Sequence, residues 1–192
     1  MTSDRNKADL LLDAARASIL SVGWKRTTLT DVARRAGVSR MTIYRTWPDM
    51  PALFGDLMTR EWAHVLGPDP AATVGEDAAD DIARLVVQAV GSLRDNALFR
   101  RILDVDPELL LPYLVDRPGR TQQVVLDLLA PTIAAGQVAG RLRDGDPQIL
   151  ARTLLLGLHG HVISQSTMTD DGISPDQLDD ELHQLVRRYL AR

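Results

Sequence analysis

The sequence predicts an all-α fold, a small N-terminal three-helix unit with a helix-turn-helix followed by a larger helical body. Three observations carry this. Apolar residues recur at helical spacing from the start, as in Leu11, Ala15, Ile19 and Val22. No β-branched segment of period two bounded by hairpin turns occurs, and aromatic residues are only 4% of the chain. Short Gly, Pro and Asp breaks, each followed by a capping residue, cut the chain into pieces of helical length.

The first helix is expected over 7–22, stopped by Gly23, with Trp24 as an apolar anchor behind it. Two short helices then fill 28–47. Thr28 and Ser39 each stand where an N-cap is needed, and Ala36-Gly37-Val38 supplies the left-handed residue of the turn between them. Val32, Ala33, Val38 and Ile43 are the expected interior positions, closed by Trp47. Asp49 caps a fourth helix with Pro51 in its first turn, running to about Val65. On it, Leu53, Leu57, Glu61 and His64 form one line and Phe54, Met58, Trp62 and Val65 the next, and the second line is the one expected to be buried. The Gly- and Pro-rich stretch 67–75 reads as a loop, so the domains are 1–49 with 50–66 as connector, and 67–192. Beyond it, helices are expected near 76–94, 97–104, 106–115, 120–139, 147–165 and 175–191. Asp106-Pro107, Asp146-Pro147 and Ser174-Pro175 mark three of the starts, and Pro112 should kink or end its helix.

Charge is unevenly placed. Residues 24–47 hold Lys25, Arg26, Arg34, Arg35, Arg40 and Arg45 against Asp31 alone, inside a chain of net charge −4. A basic helix-turn-helix on an acidic body points to duplex DNA. No cysteine is present, which excludes disulfides and thiolate chemistry, and the chain shows no P-loop, no GxSxG and no dinucleotide fingerprint, so no enzyme is indicated and no cofactor is expected. His159 and His161 lie about 200° apart on a helix, and His64 and His183 have no carboxylate or His at i+3 or i+4, so no metal site is expected either. The start of the chain has no apolar signal core and no run long enough for a membrane span, which makes a cytoplasmic protein without membrane contact the expectation.

Residues 8–53 closely resemble the DNA-binding domain of the tetracycline-repressor (TetR) family of bacterial regulators. The match is carried by Asp13-Ala14-Ala15, Gly23-Trp24, Thr27-Thr28, Asp31-Val32-Ala33, Ala36-Gly37-Val38-Ser39, Thr42-Ile43-Tyr44, Trp47 and Leu53. The resemblance implies a helix-turn-helix DNA-binding domain followed by a helical ligand-binding and dimerisation domain. It further implies a homodimeric repressor that binds a palindromic double-stranded operator and is released by a small-molecule effector. Position by position, Arg40, Met41, Thr42, Arg45 and Thr46 would face the major groove, and Thr28, Ser39 and Tyr44 would hold phosphates. Three residues depart from the family pattern. Met41 replaces a small residue, Trp47 replaces Phe, and Met50 replaces a Lys at the start of the fourth helix, where backbone N–H groups are still expected to contribute.

In the body, Ile149, Thr153, Leu156, Gly160 and Ile163 form one helical stripe and Leu178, Leu182, Leu185 and Tyr189 another, and both suit a four-helix dimer interface. The effector pocket implied by the resemblance is expected near Trp62, Val86, Val90, Leu93, Phe99, Leu103, Leu126, Leu129 and Ile133, an apolar lining for a hydrophobic ligand. Arg84, Arg94, Arg100 and Arg101 are candidates for holding an anionic group. The alternative reading is a helix-turn-helix protein that works through protein partners, or one without any small-molecule effector. The outward Arg40, Thr42, Tyr44 and Arg45 argue against protein partners, because a protein-binding helix presents apolar anchors.

Overall fold

The computed structural model describes residues 2–66 and 75–192, with the side chains of 7–62 and 75–192. The expected loop and boundary at 67–75 fall almost wholly outside the described residues, as do the side chains of His64 and Val65. The described residues form nine α-helices and no strand: α1 Thr2–Val22, α2 Leu29–Arg35, α3 Arg40–Thr46, α4 Met50–Leu66, α5 Ala78–Asp95, α6 Ala97–Val105, α7 Arg120–Val138, α8 Pro147–Ser164 and α9 Pro175–Leu190. None of the described helices is long and apolar enough to cross a membrane.

Two compact units emerge, and the chain visits each twice. One comprises Met1–Trp62 with Asn96–Thr121, the other Ala63–Asp95 with Gln122–Arg192. By packing, α6 and the turns after it therefore belong with the helix-turn-helix, although they follow residue 67 in sequence.

In the first unit, Leu11, Ala15 and Ile19 of α1 are buried, whereas Val22, expected on the same stripe, is exposed at the helix end. Val32, Ala33, Ile43 and Trp47 join them, and the Trp24 ring meets Phe54 edge-on with centroids 4.7 Å apart. On α4 the described members of both expected lines are buried, except Trp62, which is half-buried. Leu53 and Leu57 are fully covered along with Phe54, and Glu61 is 8% exposed. Only the line of Phe54, Met58, Trp62 and Val65 was expected to be buried, so the burial of Glu61 is a correction. The structure compensates its charge: Glu61 Oε2 accepts from Arg16 Nε at 3.3 Å and Asn96 Nδ2 at 2.8 Å, so α1, α4 and the N-cap of α6 meet on one acid.

The helix expected over 106–115 does not form. Pro107 and Pro112 each lack an N–H, and the chain makes a 3₁₀ turn, Pro107–Leu109, then a π turn, Pro112–Asp116, closed by Arg117 N–H on the Pro112 carbonyl. Asp106 does not cap it. Its φ of −136° and ψ of 47° are not cap geometry, and its carboxylate faces elsewhere.

The second unit packs α5 against α8 and α9 around Ile82, Val86, Val90, Leu126, Ile133, Leu154, Leu182 and Val186. Asp146 accepts from the N–H groups of Gln148 and Ile149, and Ser174 and Gln177 form a reciprocal capping box. Arg94 of α5 clamps Asp179 of α9 through two bonds of 2.9 and 2.5 Å, and Gln165 adds a third at 2.8 Å. Burial alone would push the Asp179 carboxyl up, but the Arg94 guanidinium and the Gln165 amide hold it below its ordinary value.

Candidate nucleic-acid interface

The expected DNA-facing residues converge on α2 and α3, and local hydrogen bonds explain their posture. Thr28 Oγ1 accepts from Asp31 N–H at 3.1 Å and donates to Asp31 Oδ2 at 2.6 Å. That bond, together with Arg34 at 2.7 Å, lowers the Asp31 carboxyl pKa. Gly37 sits at φ +68°, a conformation open to glycine, and so turns the chain between the helices, with Val38 N–H closing on the Ala33 carbonyl at 3.0 Å. Ser39 Oγ then accepts from Thr42 N–H at 3.2 Å and lies 2.9 Å from Thr42 Oγ1.

One residue of α3 is buried. Ile43 is fully covered and seats the helix, while Arg40, Met41, Tyr44, Arg45 and Thr46 are exposed and Thr42 is half-buried. Among the described residues, Arg35, Arg40 and Arg45 form no side-chain hydrogen bond or ion pair. The rest of the basic stretch is engaged: Arg26 Nε donates to the Val22 carbonyl, Arg34 pairs with Asp31, and Lys25 pairs with Glu108 at 2.5 Å. The cationic surface of the helix-turn-helix is therefore narrower than the sequence count, and it centres on α3.

Sequence reasoning missed what holds the α1–α2 junction. Asp106 is 3% exposed, and its Oδ2 accepts the Trp24 backbone N–H at 2.8 Å across 82 residues of sequence. Gly23, at φ +85°, lets the backbone pass there, and a Cβ on it would come within 3.2 Å of the same oxygen. Beside it, Glu108 raises the Lys25 pKa, and its own is lowered by the ammonium. The Asp-Pro pair was the visible signal, but it read as a cap.

At the start of α4, Asp49 Oδ1 accepts the Ala52 N–H at 2.8 Å. One of the backbone donors expected to serve a phosphate is thus already satisfied by a carboxylate.

Of the expected effector positions, Val86, Val90, Leu126 and Ile133 are core residues of the second unit, with Leu129 packed against them and Leu93 buried on α5. Trp62, Phe99 and Leu103 belong to the first unit. That unit also carries an open groove of about 430 Å³, lined by Val22, Arg26, Asp31, Arg34 and Arg35 among others, and none of the nine positions borders it. Of the candidate anion-holding arginines, Arg84 pairs with Asp80 and Asp81 and Arg94 with Asp179, whereas the buried Nε of Arg101 has no partner among the described residues.

The stripe expected on α8 points away from its own core. Ile149 is 62% and Leu156 71% exposed, Thr153 and Gly160 are exposed, Ile163 is half-buried, and Gly157 and Gly160 face open space. The α9 stripe divides. Leu185 is exposed and Leu178 half-buried, but Leu182 is inside the core and Tyr189 packs against it under the Arg143 guanidinium. Leu182 is therefore a core residue and not a surface seam, because the α9 face toward α5 is turned about 60° from the one read as apolar. His159 bonds Gln122 at 2.9 Å, and His183 lies 3.2 Å from Asp80.

Residues 11–57 match the family described as bacterial regulatory proteins, tetR family. Over the full length, the chain is 31% identical to the uncharacterized HTH-type transcriptional regulator Rv2250c of Mycobacterium tuberculosis, covering all of this chain and 98% of that protein. Among solved structures it resembles NalD, the secondary repressor of the MexAB-OprM multidrug efflux pump in Pseudomonas aeruginosa, at 23% identity and a TM-score of 0.59 over 100% of this chain and 99% of that one. It also resembles a SmeT–triclosan complex, at 20% identity and a TM-score of 0.58 over 97% and 92% of the two chains. At these identities the structural likeness establishes the fold.

Proposed function

The chain belongs to the TetR family of bacterial regulatory proteins, non-enzymatic DNA-binding transcription regulators, and from that premise we propose that it is a cytoplasmic homodimeric repressor whose two readers bind the halves of a palindromic operator. The observation that carries the DNA reading is the outward face of α3. A short helix seated by Ile43 presents Arg40 and Arg45 without partners among the described residues, which is the arrangement a base-edge and phosphate reader needs. Arg40, Met41, Thr42, Arg45 and Thr46 face the major groove, and Thr28, Ser39 and Tyr44 face phosphates. Thr28 and Ser39 keep their capping bonds while their exposed oxygens meet the backbone.

The exposed stripe of α8 and the exposed Leu185 of α9 support self-association, since apolar side chains turned away from their own core gain by meeting a second copy. Release by a hydrophobic effector rests on the apolar character of the second unit around Val86, Val90, Leu126 and Ile133, and on the ligand-bound state of the related SmeT fold. The proposed division is a DNA-binding part at 1–49, a connector at 50–66 and a regulatory part from 67 onward, although 96–121 packs in one unit with Met1–Trp62.

Selection of DNA from a random pool, followed by binding at two salt concentrations, tests this reading. An inverted repeat with half-sites about one helical turn apart should be enriched, and affinity should fall steeply as salt rises. A pool that yields no preferred sequence overturns it.

A further inference from the structure

We infer that α3 reads a C5-methylated pyrimidine through Met41, next to a guanine read by Arg45, so that the operator half-site is built around a methyl group as much as around hydrogen bonds. This rests on the DNA-binding reading above and goes beyond it by naming what the reading face selects.

With Ile43 as the buried seat, Met41 and Arg45 each lie about 160° away from it, so they form the crest of the exposed face. Arg40 and Tyr44 flank the crest on one side and Thr42 and Thr46 on the other. A helix lying in a groove brings its crest nearest to the base edges and its flanks nearest to the walls. Both threonine hydroxyls are occupied locally: Thr42 Oγ1 lies 2.9 Å from Ser39 Oγ, and Thr46 Oγ1 donates to the Thr42 carbonyl at 3.4 Å. Arg45 is then the hydrogen-bonding group at the crest, and its fork fits guanine O6 and N7.

Met41 is the other half of the crest. It is 79% exposed, an unbranched thioether on the same outward face of α3 as Arg40 and Arg45. An apolar protein partner would have to desolvate Arg40 and Arg45 to reach it, whereas a major groove offers those cations acceptors and offers the thioether one apolar feature, the pyrimidine 5-methyl group. Thymine and 5-methylcytosine both present that methyl. Because Met41 and Arg45 are one turn apart, about 6 Å along the axis, the methylated pyrimidine and the guanine should lie within about two base pairs of each other.

The test uses the full-length protein and its selected operator. Each thymine in a half-site is replaced by uracil, each cytosine by 5-methylcytosine and each guanine by 7-deazaguanine, and binding is measured for the wild type, Met41→Ala, Met41→Leu and Arg45→Ala. At one pyrimidine per half-site, loss of the methyl should weaken wild-type binding about fourfold, the effect of one buried methyl group. If that pyrimidine is a cytosine, adding the methyl should strengthen binding by a similar factor. Met41→Ala should be indifferent at that position, and Met41→Leu, which keeps an apolar side chain, should retain most of the response. A 7-deazaguanine within two base pairs should weaken the wild type and Met41→Ala alike but leave Arg45→Ala unchanged. Circular dichroism and thermal unfolding, expected unchanged because Met41 supports nothing in the core, confirm that each variant is folded. A wild type indifferent to every methyl, a Met41→Ala that keeps the wild-type response, or a sensitive guanine farther than about two base pairs away overturns the inference while leaving the regulator reading intact. Failure to enrich any sequence removes the reading beneath it.

Discussion

The two units solve opposite problems. The reader unit must keep a cationic face in water, and it braces that face with polar bonds from a distant segment: Asp106 on the Trp24 N–H, Glu108 on Lys25, and Asn96 with Arg16 on Glu61. The second unit has a contiguous apolar core running through α5, α7, α8 and α9, and still leaves Ile149, Leu156 and Leu185 outside it. Hydrogen bonds fix direction, and apolar area supplies association energy without direction. Reading base edges needs the first, and the self-association proposed for the α8 stripe needs the second.

The largest effect expected from breaking this contrast is in the second unit. Leu156→Glu places a carboxylate on the crest of the α8 stripe, where a symmetric partner would oppose it with another. It should weaken self-association by about 3 kcal/mol, roughly a hundredfold in the dimer dissociation constant. Sedimentation velocity should show monomer at concentrations where the wild type is dimeric, with thermal stability of the isolated chain little changed because Leu156 is 71% exposed. A variant as dimeric as the wild type would remove α8 from the interface.

A smaller effect is expected at the reader's brace. Asp106→Ala leaves the Trp24 N–H near a buried site without its acceptor, a loss of about 1–3 kcal/mol, whereas Asp106→Asn keeps an acceptor oxygen and should lose well under half of that. Urea unfolding and operator affinity should move together in the Ala variant, because the same bond holds the α1–α2 junction from which α2 and α3 start. Equal stability in both variants and the wild type would show that the bond is incidental.

The contrast also explains what was legible in the sequence. Helix ends set by one capping side chain, as at Thr28, Ser39, Asp146 and Ser174, were visible because cap and helix are neighbours in the chain. The α8 stripe was visible because one helical face was apolar throughout. Asp106 was misread because the same Asp-Pro pair that starts a helix also serves a fold in which the carboxylate turns away to a backbone donor 82 residues back, and local spacing carries no record of that. The burial of Glu61 was missed for the same reason, since its partners Arg16 and Asn96 lie far along the chain. Leu182 was placed on a surface seam because a four-three-four repeat identifies a face without saying which neighbour covers it.

The smallest expected effect separates the units by acidity. His159 and His161, both in the second unit, have pKa values lowered by burial, the Asp179 carboxylate opposing this at His161. A base whose folded pKa lies below its unfolded value of about 6.5 favours folding above that value, and the contribution is lost as pH falls through the folded pKa, since the unfolded chain takes up the proton first. The reader unit contains no histidine, and its perturbed acids run lower. Asp31, held down by Thr28 and Arg34, and Glu108, held down by Lys25, favour folding above the ordinary carboxylate range and lose that contribution only as pH drops below about 4. Unfolding followed between pH 7 and 5 by tryptophan fluorescence, which reports from Trp24, Trp47 and Trp62 in the reader unit, should therefore move less than unfolding followed by hydrogen exchange at the α8 and α9 amides. His159→Asn with His161→Asn should flatten the second signal and leave the first as it was. If the fluorescence transition shifts as far with pH as the α8 and α9 amides do, and the double variant flattens both, the units unfold as one and the division of labour between polar brace and apolar core is structural without being energetic.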